Sequence, residues 1–302
     1  MDFIALAKDI AGDGNVFINE KLDKHTTFRV GGPASCLVTP DSVEILVRLV
    51  RECRNNHIPY YVIGNGSNLL VSDEGFDGII IKISKNMSNI SIKDNIITAE
   101  AGTLLATIGM YAAQRSLTGF EFAAGIPGTL GGGCVMNAGA YGGELKDVLM
   151  SVKAITPEGD IVDFVVDELE MGYRTSIFLD KDYVILQADI RLSQGVKSEI
   201  EARMSELAFM RRDKQPLELP NAGSTFKRPE GYFAGKLIED AGLKGKGVGG
   251  ACVSEKHAGF VVNRGYATAH DIYDTIQYVI DEVDKNSGII LEPEVRIIGN
   301  FA

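Results

Sequence analysis

Two glycine-rich tracts constrain this chain more than anything else in it. The first, Gly64-Asn65-Gly66-Ser67-Asn68, directly follows the apolar run Tyr60-Tyr61-Val62-Ile63. The second reads GIPGTLGGGCVMNAGAYG from Gly125 to Gly142, and seven of its eighteen residues are glycine. Glycine admits φ > 0 and lets backbone N–H groups approach a ligand with no Cβ in between. Successive N–H groups in such turns form concavities that hold anions, phosphate above all. Two loops of this kind point to one extended phosphate-bearing ligand gripped from two sides. The bland alternatives are a strand-to-turn connection for the first tract and close backbone packing for the second.

Neither tract matches a common nucleotide fingerprint. A Rossmann site needs GxGxxG, but position 69 is Leu. A P-loop needs Lys-Ser or Lys-Thr after its second glycine, and neither tract has one.

The 302 residues are 45% hydrophobic, enough for two or more compact units. A formal net charge of −11 argues against a general nucleic-acid or anionic-membrane partner, while leaving room for a local basic pocket. Cys36, Cys53, Cys134 and Cys252 form no CxxC pair, and no histidine pair stands near another ligand. No metal is therefore expected, and reduced thiols suit a cytoplasmic setting. Met1–Asn15 carries acids and does not read as a signal peptide. No apolar run approaches the roughly 20 residues that span a bilayer.

Periodicity predicts helices at Val43–Asn56, capped by Asp41 or Ser42, and at Thr103–Arg115, capped by Thr103. Further helices are expected at Lys197–Arg212, Phe233–Ala241 and Thr268–Asn286. Strands are expected at Tyr60–Ile63, Gly78–Ile83, Tyr183–Leu192 and Leu291–Ile298, with hairpins at 89–99 and 152–164. Strands and helices mix without βαβ alternation, which predicts an α+β fold. The texture becomes more charged after Ser193, which suggests a boundary near residue 195.

Several blocks together resemble the UDP-N-acetylenolpyruvoylglucosamine reductases, flavoenzymes of peptidoglycan precursor synthesis. They are HTTFRVGG from His25, the Gly64–Leu70 loop, GIPGT from Gly125, NAGAYG from Asn137, Tyr173-Arg174, NAGSTFK from Asn221 and LEPEVR from Leu291. They span nearly the whole chain. The resemblance implies an FAD-binding fold of the vanillyl-alcohol-oxidase (PCMH) type, with two subdomains and a C-terminal α+β substrate-binding domain. The parts would be 1–83 with the C-terminal strand 292–302, then 84–195, then 196–291. The interval between Arg174 and Ser224 is short, so the chain resembles the subgroup that lacks an extra tyrosine-bearing loop. Tyr141, Tyr232 and Tyr266 are candidates to replace that tyrosine.

The resemblance also implies roles. FAD would lie along Gly64, Asn65, Gly66, Ser67 and Asn68, and along Gly125, Ile126, Pro127, Gly128, Thr129, Gly132, Asn137, Gly139 and Ala140. NADPH would reduce the flavin, which would then pass hydride to the enolpyruvyl ether of UDP-N-acetylglucosamine. Arg174 matches the arginine that binds the substrate carboxylate, a task suited to a planar guanidinium. Glu294 matches the catalytic glutamate and would act as an acid if burial raised its pKa. Ser224 matches the serine that protonates carbon; read alone, it is a turn or cap residue. Position 226 is Phe, so no Gly-x-Ser-x-Gly elbow surrounds it. Lys227 and Arg228 are the first choices for the uridine diphosphate, with Arg211 and Arg296 as further substrate contacts. Another FAD-dependent alcohol or sugar oxidoreductase on the same fold is the alternative. The partners expected are small molecules, with the protein acting as a monomer or weak oligomer in cell-wall synthesis.

Overall fold

The computed structural model describes residues 2–179 and 181–301. The chain forms two compact units. The first comprises the chain up to Ile18, Cys36–Asn65 and Gly78–Arg211; the second comprises Asn19–Ser35, Gly66–Asp77 and the chain from Arg212 onward. Each unit has its own apolar core.

The first unit is organised by a five-stranded antiparallel sheet. Its order is Ile161–Val165, Leu149–Ile155, Val184–Arg191, Ile96–Glu100, Ile90–Lys93. Val184–Arg191 sits centrally and buries Val184, Leu186, Ala188 and Ile190. Tyr60–Ile63 lies in a second sheet, paired in parallel with Phe76–Lys82 from Tyr60↔Ile79 to Ile63↔Lys82. The helix Val43–Asn55 buries Leu46, Val47, Leu49, Val50 and Cys53, the face its periodicity predicts. Ser42 is its cap, with Oγ accepting from the Ile45 N–H at 3.2 Å.

The second unit is built on the helix Ala269–Ser287. Ile272, Ile276, Val279 and Val283 are fully buried along one face, each worth about 1.5–3 kcal/mol. Thr268 and Asp271 form a reciprocal capping box at its start, and Gly288 ends it with φ 70. Asp73 adds a clasp from elsewhere in the chain. Its carboxylate accepts from the backbone N–H groups of Ala269 at 2.9 Å and His270 at 3.0 Å, and meets the His270 ring at 2.9 Å.

Three elements depart from the sequence expectations. The helix expected from Thr103 runs Leu105–Gln114, and no side chain caps it. The Leu105 N–H instead donates to the Gly128 carbonyl at 3.0 Å, so the second glycine tract does the capping. Within that tract Leu130–Val135 is a short helix despite three glycines. Packing overrides propensity there, because a Cβ on Gly131 would lie 3.0 Å from Ala101 Cβ and one on Gly133 would lie 2.9 Å from Leu145 Cδ1. The strand expected at Leu291–Ile298 is formed only over Arg296–Ile298, in parallel with Leu69–Val71. Pro293 has no N–H to give a ladder, and the Glu294 N–H is spent on Thr225.

Thr268→Ala removes the cap of the longest helix and is expected to cost about 1–2 kcal/mol, read as a lower urea midpoint for the transition that melts this helix. Asp73 supplies the acid-side prediction. Burial opposes its ionisation, but the hydrogen bonds from Ala269 and His270 outweigh it and hold the carboxyl below its ordinary value. A depressed folded pKa stabilises above the unfolded value, near about 4, and that stability is lost as pH falls through the folded value. Asp73→Asn should flatten this acid-side fall in a pH series of urea midpoints.

Candidate active site

In the first unit the two glycine tracts are fastened together. A Cβ on Gly64 would sit 2.2 Å from Thr129 Oγ1, so only glycine allows this approach. Beside it, Asn65 Nδ2 donates to the Pro127 carbonyl at 2.7 Å. The second tract is also stitched into the fold, with Leu130 N donating to Thr103 O at 2.8 Å and Gly131 N to Ala101 O at 2.9 Å. Gly132 differs from its neighbours. It is exposed, and a Cβ there would meet only Thr129 Oγ1, at 3.7 Å. The backbone N–H groups of Asn65, Thr129 and Gly132 donate to no protein acceptor among the described residues. These donors, with glycine at the close approach, fit the phosphate and ribityl part of a flavin dinucleotide.

The far end of the tract bends through residues in the left-handed region. Asn137 has φ 43, Tyr141 φ 52, and Arg174 on a neighbouring turn φ 55. Gly139 and Ala140 pair with Glu144 and Gly143. The Asn137 side chain is fully buried. Its amide donates to Glu144 Oε2 at 3.0 Å and to the Gly172 carbonyl at 2.9 Å, while its Oδ1 accepts from Lys146 N at 3.0 Å. Both donors are therefore spent on protein, and the side chain braces the tract. Arg174 is half-buried, donates from Nη2 to the Gly139 carbonyl at 3.1 Å, and lies over the Tyr173 ring at 5.1 Å.

Arg211, expected to bind substrate, closes against the start of the tract. Its guanidinium donates to the Gly125 carbonyl and lies 5.9 Å from the Tyr141 ring centroid. Burial pushes its pKa down, and the Tyr141 hydroxyl opposes that shift. Cys134 is fully buried and its thiol is pushed up to about 12, so it packs rather than reacts.

The second unit carries the other residues. Gly66 has φ 61, and a Cβ there would lie 2.0 Å from the His25 carbonyl oxygen. The Thr27 N–H donates to the Gly66 carbonyl at 3.1 Å, so the HTTFRVGG block wraps this loop. The N–H groups of Gly66, Ser67 and Asn68 donate to no protein acceptor among the described residues. Asn68 Nδ2 donates to the Glu294 carbonyl at 3.0 Å, and its own carbonyl accepts from Arg296 N at 3.0 Å.

The segment bearing Ser224 lies beside the segment bearing Glu294. Glu294 N donates to Thr225 O at 2.8 Å and Lys227 N to Glu292 O at 2.9 Å, with a bridge between Phe226 and Pro293. Thr225 anchors this edge: it is fully buried and its Oγ1 accepts from Val261 N at 2.9 Å. Ser224 is exposed next to it, after Gly223 at φ 78. Asn221 sets that turn, its Oδ1 accepting from Gly223 N at 3.0 Å. Glu294 is half-buried and its Oε2 is closed off from solvent. Lys227 pairs with Glu292 at 3.2 Å, and Arg228 lies over Phe233 at 4.5 Å. Tyr232 and Tyr266 are exposed.

The sequence reading missed the bracing roles of Asn68, Asn137 and Asn221 and the anchor at Thr225. Asparagine next to glycine was the available signal for the first three, since it tolerates left-handed and turn backbone. Among the described residues no group of three or more metal-ligating side chains is placed to hold an ion. No described helix is long and apolar enough to cross a membrane.

Gly64→Ala is expected to weaken flavin binding at least about tenfold, because the new methyl would force the two tracts apart. Flavin absorbance retained after gel filtration reads this directly.

Comparison with known proteins agrees with the geometry. The family described as "FAD binding domain" matches residues 34–164, and "UDP-N-acetylenolpyruvoylglucosamine reductase, C-terminal domain" matches residues 215–298. The UDP-N-acetylenolpyruvoylglucosamine reductase of Clostridium botulinum (strain Alaska E43 / Type E3) is 50% identical over 298 residues, 99% of this chain and 98% of that protein. The protein of the same name from Caldanaerobacter subterraneus subsp. tengcongensis is 47% identical over 97% of this chain and 96% of its own. The crystal structure of UDP-N-acetylenolpyruvylglucosamine reductase from Thermus caldophilus superposes with a TM-score of 0.80 at 37% identity, covering 92% of this chain and 97% of that one. With identity this high along nearly its full length, the chain belongs to the UDP-N-acetylenolpyruvoylglucosamine reductase family.

Proposed function

We propose that this protein uses FAD and NADPH to reduce the enolpyruvyl ether of UDP-N-acetylglucosamine to the lactyl ether, UDP-N-acetylmuramate. This is a cytoplasmic step toward peptidoglycan. The observation that carries the reading is the pairing of the Ser224–Lys227 segment with the Glu292–Glu294 segment. It puts a hydroxyl-bearing turn and a carboxyl on one edge of the second unit. An alcohol or sugar oxidase needs no donor of this kind for a carbon acid.

FAD, when bound, supplies a hydride taken from NADPH. In the first unit the backbone N–H donors of Asn65, Thr129 and Gly132 would hold it. Hydride reaching the terminal methylene leaves the electron pair of the alkene on the adjacent carbon, delocalised into the carboxylate. Arg174 would meet that growing charge with a two-pronged guanidinium. Glu294 carries the family's acid role, as a hydrogen-bond donor when protonated. The Ser224 hydroxyl protonates the carbon bearing the ether oxygen, and solvent returns its proton. A serine is a weak acid, so this step depends on a strongly basic intermediate and on the tight Asn221–Gly223 turn. Lys227 and Arg228 take the diphosphate, and Arg296 holds substrate beside Glu294. Because the two substrates react in turn, ping-pong kinetics are expected.

The test is spectroscopic. NADPH added without air should bleach the flavin band, and only the enolpyruvyl UDP-sugar should restore it. Glu294→Gln should slow that restoration by about 10²–10⁴-fold and leave bleaching by NADPH intact. A flavin that oxygen reoxidises and the UDP-sugar does not would overturn the assignment.

A further inference from the structure

We propose that Asn137 is a positioning residue for Arg174: a single buried amide fixes both the backbone and the head group of the substrate-binding arginine. The inference rests on the reading of Arg174 above. Arg174 sits in a two-residue turn closed by Gly172 N to Thr175 O at 3.1 Å and Thr175 N to Gly172 O at 3.4 Å. At φ 55 it occupies a region that is costly for a non-glycine residue unless its surroundings hold it there. Asn137 supplies that hold at the base of the turn, through Nδ2 and the Gly172 carbonyl.

The other end of Arg174 is fixed through the same amide. The guanidinium donates to the carbonyl of Gly139, and Gly139 is paired with Glu144. The second Nδ2 proton of Asn137 goes to the Glu144 carboxylate, and Lys146 holds that carboxylate at 2.8 Å. The Lys146 N–H returns to Asn137 Oδ1. The network closes on itself with every donor of the amide used. The Lys146 ammonium, then Asn137 and Arg174, keep the Glu144 carboxyl below its ordinary range, so it stays an acceptor. Asparagine suits the position twice over, since it tolerates φ 43 and carries two donors beside one acceptor.

The test uses holoenzyme and separates the two half-reactions. Asn137→Gly keeps the left-handed backbone without strain and removes only the amide. The expected result is a KM for the enolpyruvyl UDP-sugar raised about tenfold, with flavin content and bleaching by NADPH within about twofold. Asn137→Asp, isosteric but without the two donors, should do the same, and it serves if the glycine variant folds poorly. The decisive readout is coupling. In an Arg174→Met background, Asn137→Gly should add nothing to the loss in flavin reoxidation, because its effect runs through Arg174. Full additivity, an unchanged KM, or equal slowing of both half-reactions would overturn the proposal. If Arg174→Met alone leaves reoxidation unchanged, the reading of Arg174 itself falls.

Discussion

The contact between Gly64 and Thr129, with Asn65 donating to Pro127, is the constraint on which the rest of the first unit's site depends. It joins a loop that ends a parallel strand to a tract that begins more than sixty positions later. From that junction the second tract runs outward with its backbone already committed. Gly128 caps the helix Leu105–Gln114, Leu130 and Gly131 bond to Thr103 and Ala101, and Leu130–Val135 coils against Ala101 and Leu145. A glycine-rich segment left alone would carry a large conformational entropy. Here tertiary hydrogen bonds remove that freedom, and the N–H groups of Asn65, Thr129 and Gly132 are left without a protein acceptor among the described residues.

Asparagine does much of the remaining work. Loops without regular structure must still satisfy their backbone groups, and an amide offers two donors and an acceptor in one short side chain. Asn68 fastens the first glycine loop to Glu294 and to the start of the strand Arg296–Ile298, and Asn221 shapes the turn before Ser224. Asn137 ties the second tract to the turn of Arg174. Each of the three residues that the proposed reaction uses is thus fastened, directly or through a neighbour, by an asparagine.

Much of the architecture was legible in the chain. The helix over Val43–Asn55, the capped helix after Thr268, and the hairpins at 90–100 and 149–165 follow from apolar spacing and turn residues, which act locally. The errors share a different cause. Thr103 is an ordinary cap by local rules, yet the Gly128 carbonyl takes its place. Leu130–Val135 is a poor helix by propensity, yet close packing makes it one. Leu291–Ile298 alternates like a strand, yet Pro293 and the pairing of Glu294 with Thr225 shorten it. In each case a partner distant in sequence, through a hydrogen bond or close packing, helped decide the outcome.

The sequence by itself determined the α+β class, the two glycine loops, their mismatch with Rossmann and P-loop patterns, and the blocks that carry the family resemblance. Those are properties of residue type and short spacing. Only the tertiary structure decided which glycines pack against the core and which stand open. Gly131 and Gly133 pack, whereas Gly132 stands open, although all three are identical neighbours in the chain. The structure alone also showed that the Asn137 amide is consumed by protein. The physical reason is the same throughout: a glycine's or an amide's role depends on what lies across from it, and that partner is set by the fold.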